Sequence, residues 1–223
     1  MNIHSIMQSI SYNPKHGYMM FSIEIPERNN KLVIMQGSVL TCKAFALVNA
    51  TNIWLVGTAG IDRAFDVVGG EEVLKARDEI PADGFGVKVP EGEVVVTTAG
   101  SKLDAKYIIH ACGPDYGLCE HRAFKYKDVK LKEVYKKAIR EAVKLGGKDI
   151  GFCLISAGAF AGFRNLEDII RIGMESILEE LQELKDFTVY LYAYTREEQY
   201  IVDKVWGKIK NEREIIQNEI DIC

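Results

Sequence analysis

The stretch Leu47-Val48-Asn49-Ala50-Thr51-Asn52, followed by Gly57-Thr58-Ala59-Gly60-Ile61-Asp62, indicates the fold and a candidate site together. The first segment is an apolar run that ends in two asparagines, which is typical of a buried strand that reaches the edge of its sheet. The second is a turn of small residues leading to an aspartate where a helix is expected to begin. Side-chain amides, backbone N–H groups and one carboxylate are therefore expected at one rim, and a phosphorylated sugar requires these groups.

The overall composition is that of a globular protein. The chain has 223 residues, of which 48% are hydrophobic and 27% are charged, and its formal net charge is −4. This size is sufficient for one α/β domain with additional terminal segments. The Lys and Arg residues are scattered, which argues against a long nucleic-acid track, so a nucleic-acid partner is not expected. Backbone amides can still bind a small anion.

The cysteines and the apolar segments predict a location. Five cysteines form no C-x-x-C pair, and the odd number favours free thiols in a reducing compartment. No apolar stretch reaches the roughly 18 residues needed to span a bilayer, and the N-terminus lacks a basic region followed by an apolar core. The sequence therefore predicts a cytoplasmic protein, or one in a compartment continuous with the cytosol such as the nucleus, without a membrane partner.

Strand and helix patterns alternate along the chain, which predicts a three-layer α/β/α sandwich with a mixed, mostly parallel central sheet. The predicted organisation is an N-terminal extension over residues 1–30, one domain over 31–206 and a C-terminal helical extension over 207–223. Strands are predicted at 32–35, 44–48, 93–98, 107–111, 150–155 and 188–192, with an edge strand at 18–25, and helices at 61–68, 71–79, 130–145, 165–184 and 196–210.

Four loops follow predicted parallel strands, at 36–39, 49–62, 156–163 and 193–195. Ligands of such sheets bind at the carboxyl ends of the strands. Two of the loops consist of small residues and lead into helices, so their N–H groups are expected to point outward near the positive end of a helix dipole. Two facing loops of this kind suit a diphosphate, and an aromatic residue at a third strand end can stack on a base.

Five motifs, in this order along the chain, resemble the macro domain family, whose members bind ADP-ribose. They are Gly37-Ser38-Val39, Val48-Asn49-Ala50-Thr51-Asn52, the turn from Gly57 to Asp62, the strand Ala105-Lys106-Tyr107-Ile108-Ile109-His110 with Gly113-Pro114, and Ile155-Ser156-Ala157-Gly158-Ala159-Phe160-Ala161-Gly162. The resemblance covers about residues 31–206. It implies the same α/β/α fold, ADP-ribose or an ADP-ribosylated protein as the partner, and no cofactor.

The resemblance also implies roles for individual residues. Asn52 would hydrogen-bond the distal ribose, and Asp62 would orient or activate water in members that remove ADP-ribose from proteins. The segments 57–61 and 156–160 would enclose the diphosphate, Phe160 would cover the distal ribose and Tyr194 would flank the adenine. The catalytic residues implied are Asn52 and Asp62, and the ligand-binding residues implied are Ser38, Val39, Asn49, Ala50, Gly57, Thr58, Ala59, Gly60, Ile61, Ser156, Ala157, Gly158, Ala159, Phe160 and Tyr194.

Three features depart from the family pattern. Ser38 replaces an aspartate that reads the adenine amino group, and its hydroxyl is neutral and shorter. Thr58 and Ala59 interrupt a glycine run, which would narrow or close the phosphate channel. Asp66 replaces a histidine found in several hydrolases, and it is expected to repel both Asp62 and an anionic ligand.

Simpler interpretations remain open for the same residues. Asn49 and Asn52 can cap a turn, Ser38 can cap a helix, and Asp62 can be a helix N-terminal residue stabilised by the dipole. At the level of function the leading hypothesis is an ADP-ribose-binding macro domain that hydrolyses ADP-ribose from modified proteins or processes its derivatives. The alternatives are a reader of ADP-ribose without catalysis and a degenerate fold that serves as a protein or RNA interaction module.

Two further patterns favour structural roles. His110-x-Cys112 and Cys119-x-His121 together offer four zinc ligands, but their spacing is not standard, so no metal is expected. The segment 122–132 is basic and contains aromatic residues, and it is interpreted as a solvated loop.

Overall fold

A nine-stranded mixed sheet forms the centre of the protein, as seen in a computed structural model. The structure describes the backbone of residues 4–6, 11–13 and 17–222 and the side chains of residues 18–215. The strands are β1 (His4–Ile6), β2 (Ser11–Asn13), β3 (Gly17–Ile25), β4 (Asn30–Gln36), β5 (Ala46–Ala50), β6 (Val94–Thr98), β7 (Tyr107–Ala111), β8 (Asp149–Cys153) and β9 (Thr188–Ala193). The helices are α1 (Gly60–Gly69), α2 (Glu71–Asp78), α3 (Phe124–Lys144), α4 (Leu166–Glu183) and α5 (Arg196–Ile222).

The sheet has the strand order β1-β3-β4-β9-β8-β5-β7-β6, with β2 also paired to β3. The five strands β4, β9, β8, β5 and β7 are parallel to one another, whereas β6 and β3 run antiparallel to their neighbours. This arrangement confirms the predicted mixed, mostly parallel sheet. It also brings the carboxyl ends of five strands to one edge.

The sheet is covered on both faces, because successive residues of a strand point to opposite sides. Along β5, Val48 packs in a core with residues of α3, α4 and α5, whereas Leu47 packs in a second core with Phe65 of α1 and Val73 of α2. Ile109 and Ile108 of β7 divide between the same two cores. The predicted three-layer sandwich is therefore confirmed.

One helix bound differs from the predictions. Helix α3 begins at Phe124, so the interpretation of 122–132 as a loop is wrong, and most of that segment forms the first turns of the helix. Helix α5 continues past position 210 to Ile222, through residues predicted as a helical extension, and residue 223 lies outside the described residues. The other predicted helices are present with ends that agree to within two residues, and the Asn165 side chain caps α4 by accepting a hydrogen bond from the Glu167 N–H at 2.8 Å.

The predicted edge strand at 18–25 is present as β3, but it is not at the edge. Strands β1 and β2 both pair with its outer side, in antiparallel registers that include Ile6 with Ser22 and Asn13 with Gly17. The dipeptide Asn13-Pro14 predicts a turn, and residues 14–16 lie outside the described residues.

Four of the five cysteines lie in the described part of the chain. Cys42, Cys112, Cys119 and Cys153 are free thiols, and Cys223 lies outside the described residues. None of the helices in the described part of the chain is long and apolar enough to cross a membrane.

Candidate functional site

The carboxyl ends of the parallel strands form one continuous rim that carries the four loops predicted from the sequence. The loop after β4 is joined to the loop after β9, since the Gly37 N–H donates to the Ala193 carbonyl at 3.0 Å. The loop after β5 is joined to β7, since the Thr51 N–H donates to the Ala111 carbonyl at 3.0 Å. The loop that follows β8 lies between them, because β8 pairs with both β9 and β5.

A pocket with a volume of about 190 Å³ opens at this rim between the loops that follow β5 and β8. Thr58 and Ala59 line it, so the two substitutions in the glycine run leave the pocket open. The predicted site residues that line the pocket are Ala50, Asn52, Thr58, Ala59, Gly60, Ile61, Asp62, Ser156, Gly158, Ala159 and Phe160. Thr51, Gly113, Leu154 and Ile155 also line it and were not predicted, whereas Ser38, Val39, Asn49, Gly57, Ala157 and Tyr194 lie outside its lining.

Two N-terminal turns without side-chain caps face this pocket. Helix α1 has Ala59 as its N-cap residue, and a 3-10 turn over Ala159–Ala161 has Gly158 in the same position, and neither cap residue supplies a side-chain hydrogen bond. The first N–H groups of a helix have no acceptor inside the helix. The pocket is therefore bordered on two sides by main-chain donors that suit an anion.

Both loops contain a non-glycine residue with a left-handed backbone. Ser156 has φ of 59°, and its hydroxyl donates to the Pro114 carbonyl at 2.8 Å. Leu55 has φ of 58°, its N–H donates to the Asn52 carbonyl, and its side chain is buried. Backbone conformations of this kind persist where the surrounding structure holds them, and they cluster at ligand sites.

Asp62 lies at the floor of the pocket, and both of its carboxylate oxygens are hydrogen-bonded. Oδ1 accepts from the Asn49 amide at 2.6 Å and from the Arg77 guanidinium at 2.8 Å, and Oδ2 accepts from the Thr51 hydroxyl at 2.8 Å. The side chain is buried. Each carboxylate oxygen can accept about two hydrogen bonds, so one lone pair on Oδ2 remains uncommitted.

Arg77 of α2 connects this carboxylate to the rest of the loop. Its side chain is only 3% exposed, and it lies 2.5 Å from Asp66 Oδ1 as well as 2.8 Å from Asp62 Oδ1. Its Nε donates to the Leu55 carbonyl at 3.1 Å, which holds the left-handed turn. The expected repulsion between Asp62 and Asp66 is present, because the Asp62 charge raises the pKa of Asp66, and the buried guanidinium between the two carboxylates offsets it.

Asp66 is also bound to the loop backbone through the N–H of Gly57. Burial raises the pKa of the Asp66 carboxyl, the Arg77 charge opposes that rise, and the Asp62 charge adds to it. A Cβ atom on Gly57 would lie 2.1 Å from Asp66 Oδ2, so this position has no room for a side chain. The close approach explains why glycine stands there.

Asn49 lies beneath the pocket, in a network with a buried histidine. Its amide nitrogen is 3.1 Å from His110 Nδ1, and His110 Nε2 is 2.9 Å from the hydroxyl of Thr97. That hydroxyl donates to the Thr98 carbonyl, so it accepts from Nε2–H, and Nδ1 then accepts from Asn49. Burial and the nearby Arg77 charge hold the pKa of His110 well below its usual range, so the ring is neutral.

The environment of His110 also bears on the zinc alternative. Both ring nitrogens of His110 lie within hydrogen-bonding distance of side chains, those of Asn49 and Thr97, and the ring of His121 stacks on Phe124. Within residues whose side chains the structure describes, no group of three or more His, Cys, Asp or Glu residues is arranged to hold a metal ion.

Asn52 lines the pocket, and its side chain stabilises its own loop. The amide nitrogen donates to the Val56 carbonyl at 2.7 Å, and Oδ1 accepts from the N–H groups of Trp54 and Val56 at 3.1 and 3.4 Å. This is the turn-capping role that the sequence left open. The second amide hydrogen has no acceptor in these contacts, and the side chain is partly exposed at the pocket.

The other end of the rim, formed by the loops that follow β4 and β9, carries an aromatic ring that is exposed to solvent. Ser38 caps a short 3-10 turn by accepting from the Leu40 N–H at 3.3 Å, and the side chain of Val39 is buried in the core. Tyr194 is 72% exposed. Glu198 accepts from the N–H groups of Tyr194 and Thr195, which fixes the backbone that carries the ring.

Sequence reasoning missed Arg77, and it named Thr51 and His110 in motifs without predicting their contacts with Asp62 and Asn49. Arg77 is four positions after Val73, so both lie on the buried face of α2, and its charge there requires a partner. Asp62 and Asp66 are also four positions apart, on α1. The sequence therefore held a signal for this ion pairing. A cation lies on the buried face of α2, and two carboxylates lie on one face of α1, the helix before it.

Comparison with known protein families gives a match over the same part of the chain. A family model described as Macro domain matches residues 48–167. A macro domain-containing protein of Streptomyces griseus is 33% identical over 150 residues, which cover 67% of this chain and 80% of the relative. A protein of Pantoea vagans named O-acetyl-ADP-ribose deacetylase 2 is 34% identical over 131 residues, which cover 59% of this chain and 72% of the relative.

The fold also agrees with a solved structure. The Oceanobacillus iheyensis macrodomain with ADP superimposes with a TM-score of 0.74 at 22% identity, covering 95% of this chain and all of that chain. At this identity the likeness is one of fold.

Proposed function

The chain belongs to the macro domain family, and from that premise we propose that it binds ADP-ribose, free or attached to a protein. The observation that carries the proposal is the pair of uncapped N-terminal turns on opposite sides of one pocket, at Ala59 and at Gly158. A diphosphate between them would accept hydrogen bonds from main-chain N–H groups of both turns. The Oceanobacillus iheyensis macrodomain, which was solved with ADP, supports the same ligand class.

The dimensions of the rim suggest how the rest of the ligand would lie. The pocket of about 190 Å³ is smaller than the range of about 300–1,000 Å³ that is common for ligand sites, so it would hold the diphosphate and one ribose. Phe160 lines the pocket and would cover that ribose, while Asn52 would offer its amide to the ribose hydroxyls. The base would extend toward Ser38 and the exposed ring of Tyr194.

Calorimetric titration with ADP-ribose, ADP and AMP tests this proposal. ADP-ribose is expected to bind most tightly and AMP least, because AMP lacks the second phosphate and the distal ribose. A ligand that binds only the native state also raises its stability, by about 2.7 kcal/mol at a hundred times its dissociation constant. A thermal-shift series with the same ligands should therefore give the same order.

A pair of phenylalanines in one loop provides the matched control. Phe160 lines the pocket, whereas Phe163 is 78% exposed and lies outside the lining. Phe160→Ala should weaken ADP-ribose binding about tenfold, which corresponds to about 1.4 kcal/mol, and Phe163→Ala should leave it nearly unchanged. Equal effects of the two substitutions, or no binding by the wild-type protein together with retention of an RNA oligomer, would favour the interaction-module alternative.

Hydrolysis of an ADP-ribose ester is a second candidate function. It is favoured by Asp62, a carboxylate that lines the pocket and accepts one hydrogen bond on Oδ2, from Thr51, and by the name of the Pantoea vagans relative. In this reaction Asp62 and a substrate phosphate would orient water for attack on the ester, and the loop amides would hold the phosphate charge.

Asp62→Asn tests the hydrolytic role, since it removes the basic oxygen and retains the size of the side chain. If Asp62 activates water, release of ADP-ribose from an ADP-ribosylated acidic side chain or from O-acetyl-ADP-ribose should fall by a factor of about 10²–10⁴. Tight binding of ADP-ribose by a wild-type protein that shows no turnover would instead identify a reader.

A further inference from the structure

A buried guanidinium lies beneath the turn that leads into α1, although it does not line the pocket. Arg77 contacts Asp62 and Asp66 through its two terminal nitrogens, at 2.8 and 2.5 Å, and the Leu55 carbonyl through Nε at 3.1 Å. One cation thus holds two carboxylates and the backbone of the intervening loop. Removing it would leave two like charges one helical turn apart beside an anion-binding pocket.

The three charged groups form a set whose net charge can be counted. With both carboxylates ionised, Asp62, Asp66 and Arg77 carry −1 together, and without the guanidinium they would carry −2. Asp62 lines the pocket, and Asp66 holds the Gly57 N–H at the start of the same turn. Because the effective dielectric near a protein surface is well below that of water, this charge acts on any anion bound at the turn.

We infer that Arg77 is a positioning residue that makes the pocket compatible with a diphosphate by neutralising one of the two carboxylates beneath it. The inference rests on the proposed function. According to this inference, the charge of Asp66 weakens ligand binding and the charge of Arg77 offsets that effect. The affinity for a diphosphate should therefore fall as the net charge of Asp62, Asp66 and Arg77 becomes more negative.

Substitutions that step through this net charge test the inference by calorimetric titration with ADP-ribose. Asp66→Asn gives 0, the wild type and the double variant Asp66→Asn with Arg77→Gln give −1, and Arg77→Gln alone gives −2. We expect Asp66→Asn to bind a few-fold more tightly than the wild type and Arg77→Gln at least about tenfold more weakly. The double variant should recover most of that loss, as charge-coupled neighbours do in a double-mutant cycle.

The size of the salt dependence separates charge from packing. In Arg77→Gln, repulsion between the carboxylates and the diphosphate should be screened by salt, so affinity should rise between about 0.05 M and about 0.5 M NaCl. In the wild type the three residues carry a smaller negative charge, so the rise in affinity over the same range should be clearly smaller. Arg77→Lys keeps the charge but loses the forked geometry, so it should bind more weakly than the wild type while keeping the smaller salt dependence of the wild type.

Lys75→Gln is the matched control, because Lys75 lies on the exposed face of the same helix and its loss changes the total charge equally. It should change the affinity less than about twofold, since exposed charges are screened within about 10 Å.

If Arg77→Gln does not fold, Asp66→Asn and the double variant decide the outcome. A role limited to packing predicts that Asp66→Asn weakens binding, and that result would overturn the inference alone. Failure of the wild type to bind ADP-ribose would overturn the proposed function and the inference with it.

Discussion

The two ends of the carboxyl rim are built in different ways. The end proposed to bind the diphosphate, termed the phosphate end, is formed by residues 51–62 and Arg77 and is held by a buried ionic network and by main-chain hydrogen bonds. The end proposed to bind the base, termed the base end, is formed by residues 37–38 and 193–195. It is held mainly by main-chain and capping hydrogen bonds, and the ring of Tyr194 is exposed to solvent. A pre-organised end suits a charged group that must be desolvated, whereas an open end can accept a flat group without a fixed partner.

The largest difference between the two ends should appear in stability. Arg77→Ala removes one partner of a buried ion pair and leaves two carboxylates without a counterion, which is expected to lower the free energy of unfolding by about 3–5 kcal/mol. Gln36→Ala, next to the base end, removes a hydrogen bond to Gln199 between partly buried side chains and should lower the free energy of unfolding by about 1 kcal/mol or less. Urea denaturation of both variants measures the contrast, and equal losses would mean that the ionic network does not stabilise the phosphate end.

Two glycines distinguish close packing from backbone strain at the two ends. At Gly57 a Cβ atom would lie 2.1 Å from Asp66 Oδ2 and 2.9 Å from the Asp62 carbonyl, so Gly57→Ala should cost about 1–3 kcal/mol and weaken ligand binding. Gly37 has φ of 111° with no atom near a new Cβ, so Gly37→Ala should cost about 1 kcal/mol through strain alone. Denaturation with and without ADP-ribose separates the effects, and unchanged binding in Gly57→Ala would contradict this account.

The raised pKa of Asp66 predicts how the contribution of this carboxyl, at the phosphate end, to the free energy of unfolding depends on pH. A carboxyl whose pKa is higher in the folded protein than its ordinary value of 3.8 favours folding while it is protonated. Its contribution is therefore present below pH 3.8 and is lost as the pH rises through the folded-state pKa. The stability of the wild type minus that of Asp66→Asn should fall over this window. A difference that rises with pH would show that Arg77 outweighs burial at this carboxyl.

The smallest effect is expected from a new charge at the base end. Ser38→Asp should preserve the cap of the 3-10 turn, because aspartate is an equally good N-cap residue. A carboxylate can accept a hydrogen bond from an adenine amino group more strongly than a hydroxyl can, so ADP-ribose affinity should rise about fivefold, or about 1 kcal/mol. The corresponding ligand with hypoxanthine in place of adenine should not gain, and an equal gain for both would argue against base contact at position 38.

Periodicity and motif order predicted most of the fold. Continuous apolar runs identified β5 and β7, and spaced apolar residues identified α3 and α4, because these patterns reflect burial that is local to each element. The start of α3 was missed, since its basic first turns carry a weak apolar pattern and the packing of Phe124 on Tyr116 holds them in place. The outer pairing of β1 with β3 also could not be read from the sequence, because it joins short segments without a distinctive pattern.

The candidate site was also predicted only in part from the sequence. The sequence located the two loops that border the pocket, because small residues before a helix leave backbone N–H groups exposed near its N-terminus, and this depends only on neighbouring residues. It did not locate the partners of Asp62 and Asp66. Those partners come from α2 and β5, and their approach depends on helix packing against the sheet.

The sequence by itself therefore determined the family, the layered α/β architecture and the rim at which a ligand would bind, because each depends on short-range pattern and on motif order. Only the tertiary structure decided which side chains at that rim face the pocket and which support it. Asn49 lies beneath the pocket, Asn52 caps its own turn, and Arg77 pairs with two carboxylates. The physical reason is that a buried charge is tolerated only with a partner, and the partner is chosen by packing between elements distant in sequence.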